Sequence, residues 1–397
     1  MAVSIQLRGD MDKISAFHTD NYKVKPDIIC QVPGVCTLMG AFADFCKGYC
    51  VTGTGTLGLR IAVSKRDDDM VKIYNATRND RKQFSYSNIK YRREDKWANF
   101  VKGAISILID ENIMKPQGLD ITVKGALLFC DNLTISVAIT VGLLVALNEG
   151  LSLELDRSAI IRLAYTAITK FSSLNCRFRD IITLMYAEEG KVFCFDLQTM
   201  NYRLIDFPFD RGEAYCLVVD PNVPPQILRE EIEEKRQEAH DCCKKLSASL
   251  PSEYRLRSYP VKDLKSHIIP GLTEHERRTC EYVISETLAT EKGFRGLETS
   301  DSRLFAKQLS SIFFGMRDVF EITCPEVDWL IKKASETDGV FGASLVSNGA
   351  TGSIFVVLDE SGEAAYRTVL EDYQRIFDFT PEVRRFVPGG SIKVIRH

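Results

Sequence analysis

Three glycine-bearing segments are the first places in this 397-residue chain where chemistry could sit. Gly53-Thr-Gly55-Thr-Leu-Gly58 is a literal G-x-G-x-x-G. After a strand and before a helix, that pattern holds a pyrophosphate on free backbone N–H groups. Here the following residues, Leu59-Arg-Ile-Ala-Val63, read as strand and no helix opens. The expectation is therefore a strand or turn, not a dinucleotide site. The second segment is Pro33-Gly34-Val-Cys-Thr-Leu38-Met39-Gly40, with Asp44 and Gly48 after it. The third is Phe341-Gly342-Ala-Ser-Leu-Val-Ser-Asn-Gly349-Ala-Thr-Gly352-Ser. A glycine-rich turn brings backbone close to a ligand, and its N–H groups can cradle an anion. Taken singly each signal is weak, since most glycine turns are only turns. Metal chemistry finds less support. The five histidines are scattered singly, the 12 cysteines form no C-x-x-C, and adjacent Cys242-Cys243 cannot make a zinc knuckle.

These segments need elements to position them. Val71-Lys-Ile-Tyr74, Leu119-Asp-Ile-Thr-Val123, Ala214-Tyr-Cys-Leu-Val-Val219 and Ser353 to Leu358 have strand character. Trp97 to Asp110 carries apolar residues at helical spacing, and Arg303 to Phe314, Glu326 to Lys333 and Gly362 to Phe377 also read as helices. A helix apolar nearly all round should run from an N-cap at Asp131 or Asn132 to a stop at Gly150 and lie centrally in its domain. Ile227 to Leu246 is strongly charged and reads as a solvated helix. Arg203 to Asp210 is polar-interrupted and carries a proline, so the domain boundary is placed there, giving 1–209 and 210–397. Strands and helices in both halves predict two α/β or α+β lobes.

The totals exclude several classes. With 51 Lys plus Arg against 54 Asp plus Glu, the net charge is -3, which points to no nucleic-acid face and no acidic tail. The first residues lack the apolar core of a secretory signal, and the run Ile135 to Leu147 is too short to span a bilayer. Cysteines without a secretory context fit a reduced, cytoplasmic setting. The expectation is a soluble two-domain protein with no nucleic-acid or membrane partner.

The second and third glycine segments together resemble the first and third signature motifs of the GHMP small-molecule kinases, and specifically the galactokinases. The family's first motif runs approximately P-G-R-V-N-L-I-G-E-H-T-D-Y-N-G-G, and its third approximately G-x-R-M-T-G-x-G-F-G-G. Trp97-Ala-Asn-Phe-Val-Lys-Gly103 is similar to W-x-N-Y-x-K-G. Met316 to Asp328 is similar to L-R-D-x-Y-x-V-S-C-P-E-L-D, and Asn175-Cys176 with Asp180 to N-C-G-I-M-D. Order and spacing hold from about residue 17 to 376. The resemblance implies an α+β, two-lobed GHMP kinase-like fold, with an N-terminal α/β lobe, a C-terminal α+β lobe and the site in the cleft between them. It also implies transfer of the γ-phosphoryl of Mg-ATP to the 1-hydroxyl of galactose.

The resemblance assigns roles by position. Asp180 falls on the catalytic aspartate and would accept or orient the sugar hydroxyl proton. Asp44 falls on an aspartate that hydrogen-bonds the sugar. Ser136 falls on the last serine of L-S-S-S-A, facing phosphate and magnesium. Gly349 and Gly352 keep part of the phosphate-side turn. Against these stand the ordinary readings: an aspartate at a helix start is usually a cap, and a serine in a buried helix usually bonds its own backbone.

More positions depart from the family. The arginine of P-G-R is Val35, the E-H pair is Ala41-Phe42, the magnesium-holding glutamate is Ile168, and the tyrosine of E-Y-N-x-R-R is Ile232. An apolar side chain cannot ligate a hard cation. Loss of a positioned arginine costs on the order of 10³ in rate by analogy with arginine fingers. The second motif, G-x-G-L-S-S-S-A, is here Cys130-Asp-Asn-Leu-Thr-Ile-Ser136-Val, where Asp131 would cap the helix and repel a triphosphate. Arg177 and Arg179, beside Asp180, either replace the missing arginine or are solvated or paired with acidic neighbours. The expectation is a catalytically impaired or inactive galactokinase-like protein that retains sugar binding or a regulatory role, with a protein partner as a further option. The alternative is an active kinase for galactose or a related sugar, using Mg-ATP. A third is a kinase for another small polyol, since Ala41-Phe42 makes that wall apolar.

Overall fold

The computed structural model describes residues 13–396 except 126, 128–131, 211–213, 225, 251–254, 267–270, 348 and 350. The first described element is helix α1 (13–22), followed by strands β1 (Ile28–Met39), β2 (Tyr49–Arg66), β3 (Met70–Asn75) and β4 (Asp80–Ser85). Helix α2 (Ala98–Asp110), strand β5 (Gly118–Gly125) and helices α3 (Asn132–Leu151), α4 (Arg157–Thr166) and α5 (Phe178–Tyr186) follow. Next come β6 (Lys191–Asp196), β7 (Asn201–Asp206), β8 (Tyr215–Asp220), α6 (Gln226–Ser249), α7 (Val261–Ser266) and α8 (Glu274–Glu298). The rest is α9 (Ser302–Asp318), α10 (Pro325–Glu336), β9 (Val340–Leu345), β10 (Ile354–Leu358), α11 (Glu360–Phe377), β11 (Glu382–Arg385) and β12 (Lys393–Arg396). Packing groups them into two compact units: Met1–Val35, Thr54–Ala187 and Gly389–His397 form the first, Cys36–Gly53 and Glu188–Pro388 the second. These limits fall at other places than the 209/210 boundary.

In the first unit the strand order is β12-β1-β2-β5-β3-β4. Leu59–Arg66 of β2 run antiparallel to β5, which runs parallel to β3. Helices α2 to α5 pack together over these strands in one apolar core. At its centre is α3, buried nearly all round as its composition demands. By length and composition alone its Leu133–Leu151 stretch would suit a bilayer, but 67% of that window is buried inside the protein, the environment of a core helix. The literal G-x-G-x-x-G lies wholly inside β2 and opens no helix.

The second glycine segment corrects an expectation. It is no turn from Pro33 to Met39, because β1 runs through it. Its flanks are apolar and buried on both faces, which favours extended pairing over a loop. The turn comes at Gly40, where φ is 78° and a Cβ would lie 2.2 Å from the Tyr49 carbonyl oxygen. Only glycine fits that backbone without strain.

The second unit carries an antiparallel sheet in the order β11-β8-β10-β9. Helices α9 and α10 pack on β9, and α8 packs on α9 and α6. A three-stranded patch, formed by Tyr49–Thr52 of β2 with β6 and β7, completes it. Helix α8 begins with a capping box, in which the Thr273 side chain and Glu276 exchange hydrogen bonds with each other's backbone N–H.

Candidate functional site

Asp180 is 1% exposed, at the third residue of α5, where the positive end of the helix favours a carboxylate. Arg177, the residue before the helix, donates from Nε to Asp180 Oδ2 at 2.7 Å. Its Nη2 lies 3.4 Å from Thr134 Oγ1 in the first turn of α3. Arg179 Nε stands 3.9 Å from Asp180 Oδ1, which accepts no hydrogen bond among the described residues. Arg177 is 5% and Arg179 1% exposed, so neither is solvated. Both arginines face the one aspartate. A buried carboxylate needs such compensation, because removing one partner of a buried pair typically costs ~3–5 kcal/mol.

The neighbouring motif positions are occupied differently. Ser136 is fully buried, and its hydroxyl donates to the Leu133 carbonyl at 2.7 Å, one turn back in α3. This is the local bond expected of a serine in a buried helix. Ile168 sits in a π-helical turn, Ala167–Phe171, where the Ser172 N–H reaches Ala167 O at 3.3 Å. Such turns recur at functional sites, yet the Ile168 side chain is absorbed into the apolar core along with Val35. Asp131, expected to cap α3, lies outside the described residues.

In the second unit the residues after Gly40 form a short 3-10 turn, Ala43–Cys46, that carries half-buried Asp44. The N–H groups of Ala41 and Phe42 donate to the Glu286 carboxylate of α8, at 2.9 Å to Oε1 and 3.0 Å to Oε2. Tyr282, one turn earlier on α8, donates its hydroxyl to Glu286 Oε1 at 3.4 Å. Burial, and then the neighbouring Glu286, push the Tyr282 phenol well above its ordinary range, so it stays a donor. Phe42 is fully buried, with Phe320 at 4.8 Å and Tyr282 at 5.7 Å edge-to-face. The Arg236 guanidinium lies 5.7 Å from the Phe42 ring centre. Phe42 is thus a core residue in an aromatic cluster; the expected apolar wall is filled by its own ring neighbours. Ile232 of α6 is likewise buried.

The third glycine segment is the link between β9 and β10. Gly349 and Gly352 have φ of 82° and 69°, in the left-handed region. The Gly349 N–H donates to Val346 O at 3.1 Å and the Gly352 N–H to Gly349 O at 2.9 Å. The turn is tied to β1 by Ser347 N–H to Thr37 O and Thr37 N–H to Ser347 Oγ. Both glycine N–H groups therefore close the turn and do not point to a free anion cradle.

No family model matches the chain. Curated relatives do match along nearly all of it. A Treponema pallidum (strain Nichols) protein, provisionally assigned as a galactokinase, is 26% identical over 374 residues, 93% of each chain. The galactokinase of Pyrococcus furiosus is 26% identical over 368 residues, covering 92% of this chain and 99% of the relative. Among solved structures, Lactococcus lactis galactokinase complexed with galactose superposes with a TM-score of 0.86 at 18% identity, covering 96% and 99% of the two chains. Methanococcus jannaschii mevalonate kinase matches at 0.61 and 16% identity over 91% and 98%. Along nearly its whole length the chain is homologous to galactokinases. Its fold is the α+β, two-lobed fold of the GHMP kinases.

Among the described residues, the positions that the resemblance assigns to magnesium do not fit that ion. Ser136 spends its hydroxyl on the helix, Ile168 offers no oxygen, and no group of three or more His, Cys, Asp or Glu side chains suited to a metal occurs among the described residues. In this galactokinase homologue Asp180, Arg177 and Thr134 are brought together, while Val35 and Ile168 are core. Sequence reading missed Glu286 entirely. A buried glutamate three positions after an apolar pair on an amphipathic helix resembles any solvated glutamate until the N–H groups it serves are located.

Proposed function

We propose that the protein is a galactokinase homologue that binds a galactose-like sugar and has impaired or lost phosphoryl transfer. The observation that carries this reading is Asp180, 1% exposed with its carboxylate held by Arg177 at 2.7 Å. A general base must reach the proton it takes, and a carboxylate this buried and bound to an internal cation is not placed to meet a substrate hydroxyl. The apolar packing of Ile168 and Val35 and the spent Ser136 hydroxyl support the same reading on the nucleotide side. On the sugar side Asp44 is only half-buried, and it is the residue proposed to hold a sugar hydroxyl. Gly349 and Gly352 are proposed as remnants of the phosphate turn. The setting proposed is the cytoplasm, with a regulatory role in which the sugar is the signal.

One specific observation favours the second reading, an active kinase. Arg177 reaches both Asp180 and Thr134 at the start of α3, so it supplies a cation in place of the arginine lost at Val35. Thermal melting with millimolar Mg-ATP or galactose separates the two. The expected result is stabilisation by galactose, none by Mg-ATP, and no ADP release in a coupled assay. A clear Mg-ATP shift, with turnover that disappears in both Asp180→Asn and Arg177→Ala, overturns impairment and establishes the kinase reading.

A further inference from the structure

The three-stranded patch of the second unit presents a row of side chains that none of the family motifs includes. Register sets Tyr49 of β2 opposite Asp196 of β6, and Asp196 opposite Asn201 of β7; Arg203 stands two residues further along β7, opposite Cys194. Residues two apart on a strand share a face, so Asn201 and Arg203 point the same way. Over that face lies the C-terminal half of α8, whose Glu291, Phe294, Arg295 and Glu298 recur at three- and four-residue spacing on one side of the helix. Between sheet and helix is a groove of about 680 Å3 lined by these residues. That volume falls within the ~300–1,000 Å3 typical of small-molecule sites.

The lining has two properties that select a ligand. First, it has a fixed aromatic floor. Tyr49 and Phe294 meet edge-to-face at 5.6 Å, and the Arg257 guanidinium lies 4.6 Å from the Tyr49 ring centre. Arg257 also binds Asp196, through Nη1 to Oδ1 at 2.6 Å and Nη2 to Oδ2 at 3.4 Å. The ring and the carboxylate are thus positioned before anything binds, which lowers the ordering cost of binding. Second, its charges are balanced. Asp196 is matched by Arg257, and Glu298 by Arg203 at 2.5 Å. The two remaining charges, Glu291 and Arg295, are of opposite sign one turn apart. An ion entering such a groove gains on one partner and loses on the other. A neutral molecule with many hydroxyls can donate to the carboxylates, accept from the guanidinium and amide groups, and lay an apolar ring face on Tyr49.

We propose that this groove binds a neutral saccharide, and that it does so independently of Asp44 and Asp180. The test is titration calorimetry of the full chain with lactose, maltose and cellobiose as probes, and with inorganic phosphate as the charged comparison. The expected result is saturable millimolar binding of at least one disaccharide and none of phosphate. Tyr49→Ala should weaken it about tenfold, and Asn201→Ala, an exposed position that leaves folding intact, several-fold. Asp44→Asn should leave that affinity unchanged, so failure of the galactose reading and failure of this one are told apart. Wild-type protein that binds none of the three disaccharides overturns the proposal. Binding that survives both Tyr49→Ala and Asn201→Ala, or that is lost in Asp44→Asn, does the same. Saturable phosphate binding abolished by Arg203→Ala shows an anion site instead.

Discussion

Asp180 and Glu286 are both 1% exposed, and the protein compensates them in opposite ways. Asp180 is held by side chains, the guanidinium groups of Arg177 and, further off, Arg179. Glu286 is held by backbone, the N–H groups of Ala41 and Phe42, with the Tyr282 hydroxyl as a third donor. The difference matters because side chains can be replaced and backbone cannot. A buried ion pair of two side chains can be exchanged for an apolar pair of similar shape at little cost. Two buried N–H groups keep their demand for an acceptor whatever replaces the glutamate. Asp180 therefore sits in an environment open to change, while Glu286 fixes the backbone that leads into Asp44. Val35 and Ile168 lie in the apolar core, and the loop that carries Asp44 is tied down through Ala41 and Phe42.

The sharpest break of this comparison is Glu286→Ala. It orphans two buried N–H groups, at ~1–3 kcal/mol each, and opens a cavity, so the expected loss is about 3–5 kcal/mol in urea denaturation. Glu286→Gln should recover part of it, since the amide oxygen still accepts one of the two bonds. For the other carboxylate, Asp180→Leu and Arg177→Met should each cost ~3–5 kcal/mol singly, because each strands a buried charge. The double variant should cost less than the two singles together. A double variant as unstable as the sum of the singles would show that Asp180 and Arg177 do not act as a pair.

A third buried ionisable group uses neither device. His18 of α1 is fully buried, with Nε2 2.9 Å from Ser64 Oγ and Nδ1 3.0 Å from Thr122 Oγ1. Burial, only partly opposed by Asp27, lowers its pKa from 6.5 to about 4, so it stays neutral in the fold. Its folded pKa lies below its unfolded value, so the unfolded chain binds the extra proton between those two values. The stability His18 supplies is present in full above pH 6.5, falls as pH drops toward 4, and is gone below that. At 1.36 kcal/mol per unit the span is about 3–4 kcal/mol at most. His18→Gln should flatten the stability profile between pH 4 and 6.5 relative to wild type. An unchanged slope there would mean that His18 gains its proton within the fold.

Much of this architecture was legible from residue pattern, and the gaps have physical causes. Helix α2 carries apolar residues at helical spacing, α3 is apolar nearly all round, and strands β3, β5, β8 and β10 are short runs rich in β-branched and apolar residues, so each could be placed from its pattern. Strand β1 was misjudged because Pro33-Gly34 signals a turn, although the residues on either side are apolar enough to be buried on both faces. Helix α8 was not foreseen because its buried side includes Thr279, Glu286, Thr287 and Thr290, which blur the apolar stripe. The candidate site divides in the same way. Which positions match the family can be read from spacing. Where Arg177 and Arg179 point cannot, since residues two apart leave a helix start in different directions and only packing turns both toward Asp180.

Ser136 offers the smallest and most discriminating test. The resemblance assigns it a phosphate and magnesium contact, whereas its hydroxyl is bonded within its own helix. If the geometry decides, Ser136→Ala removes one hydroxyl bonded to its own helix, and the expected loss is below ~1 kcal/mol, because alanine is the better helix former and the Leu133 carbonyl keeps its place in the helix. The melting response to Mg-ATP and to galactose should match wild type. A Mg-ATP response present in wild type and absent in Ser136→Ala would mean that the hydroxyl leaves Leu133 to meet the nucleotide. The nucleotide side would then be restrained in the free protein rather than lost, and the contrast between Asp180 and Glu286 would be one of regulation, not decay.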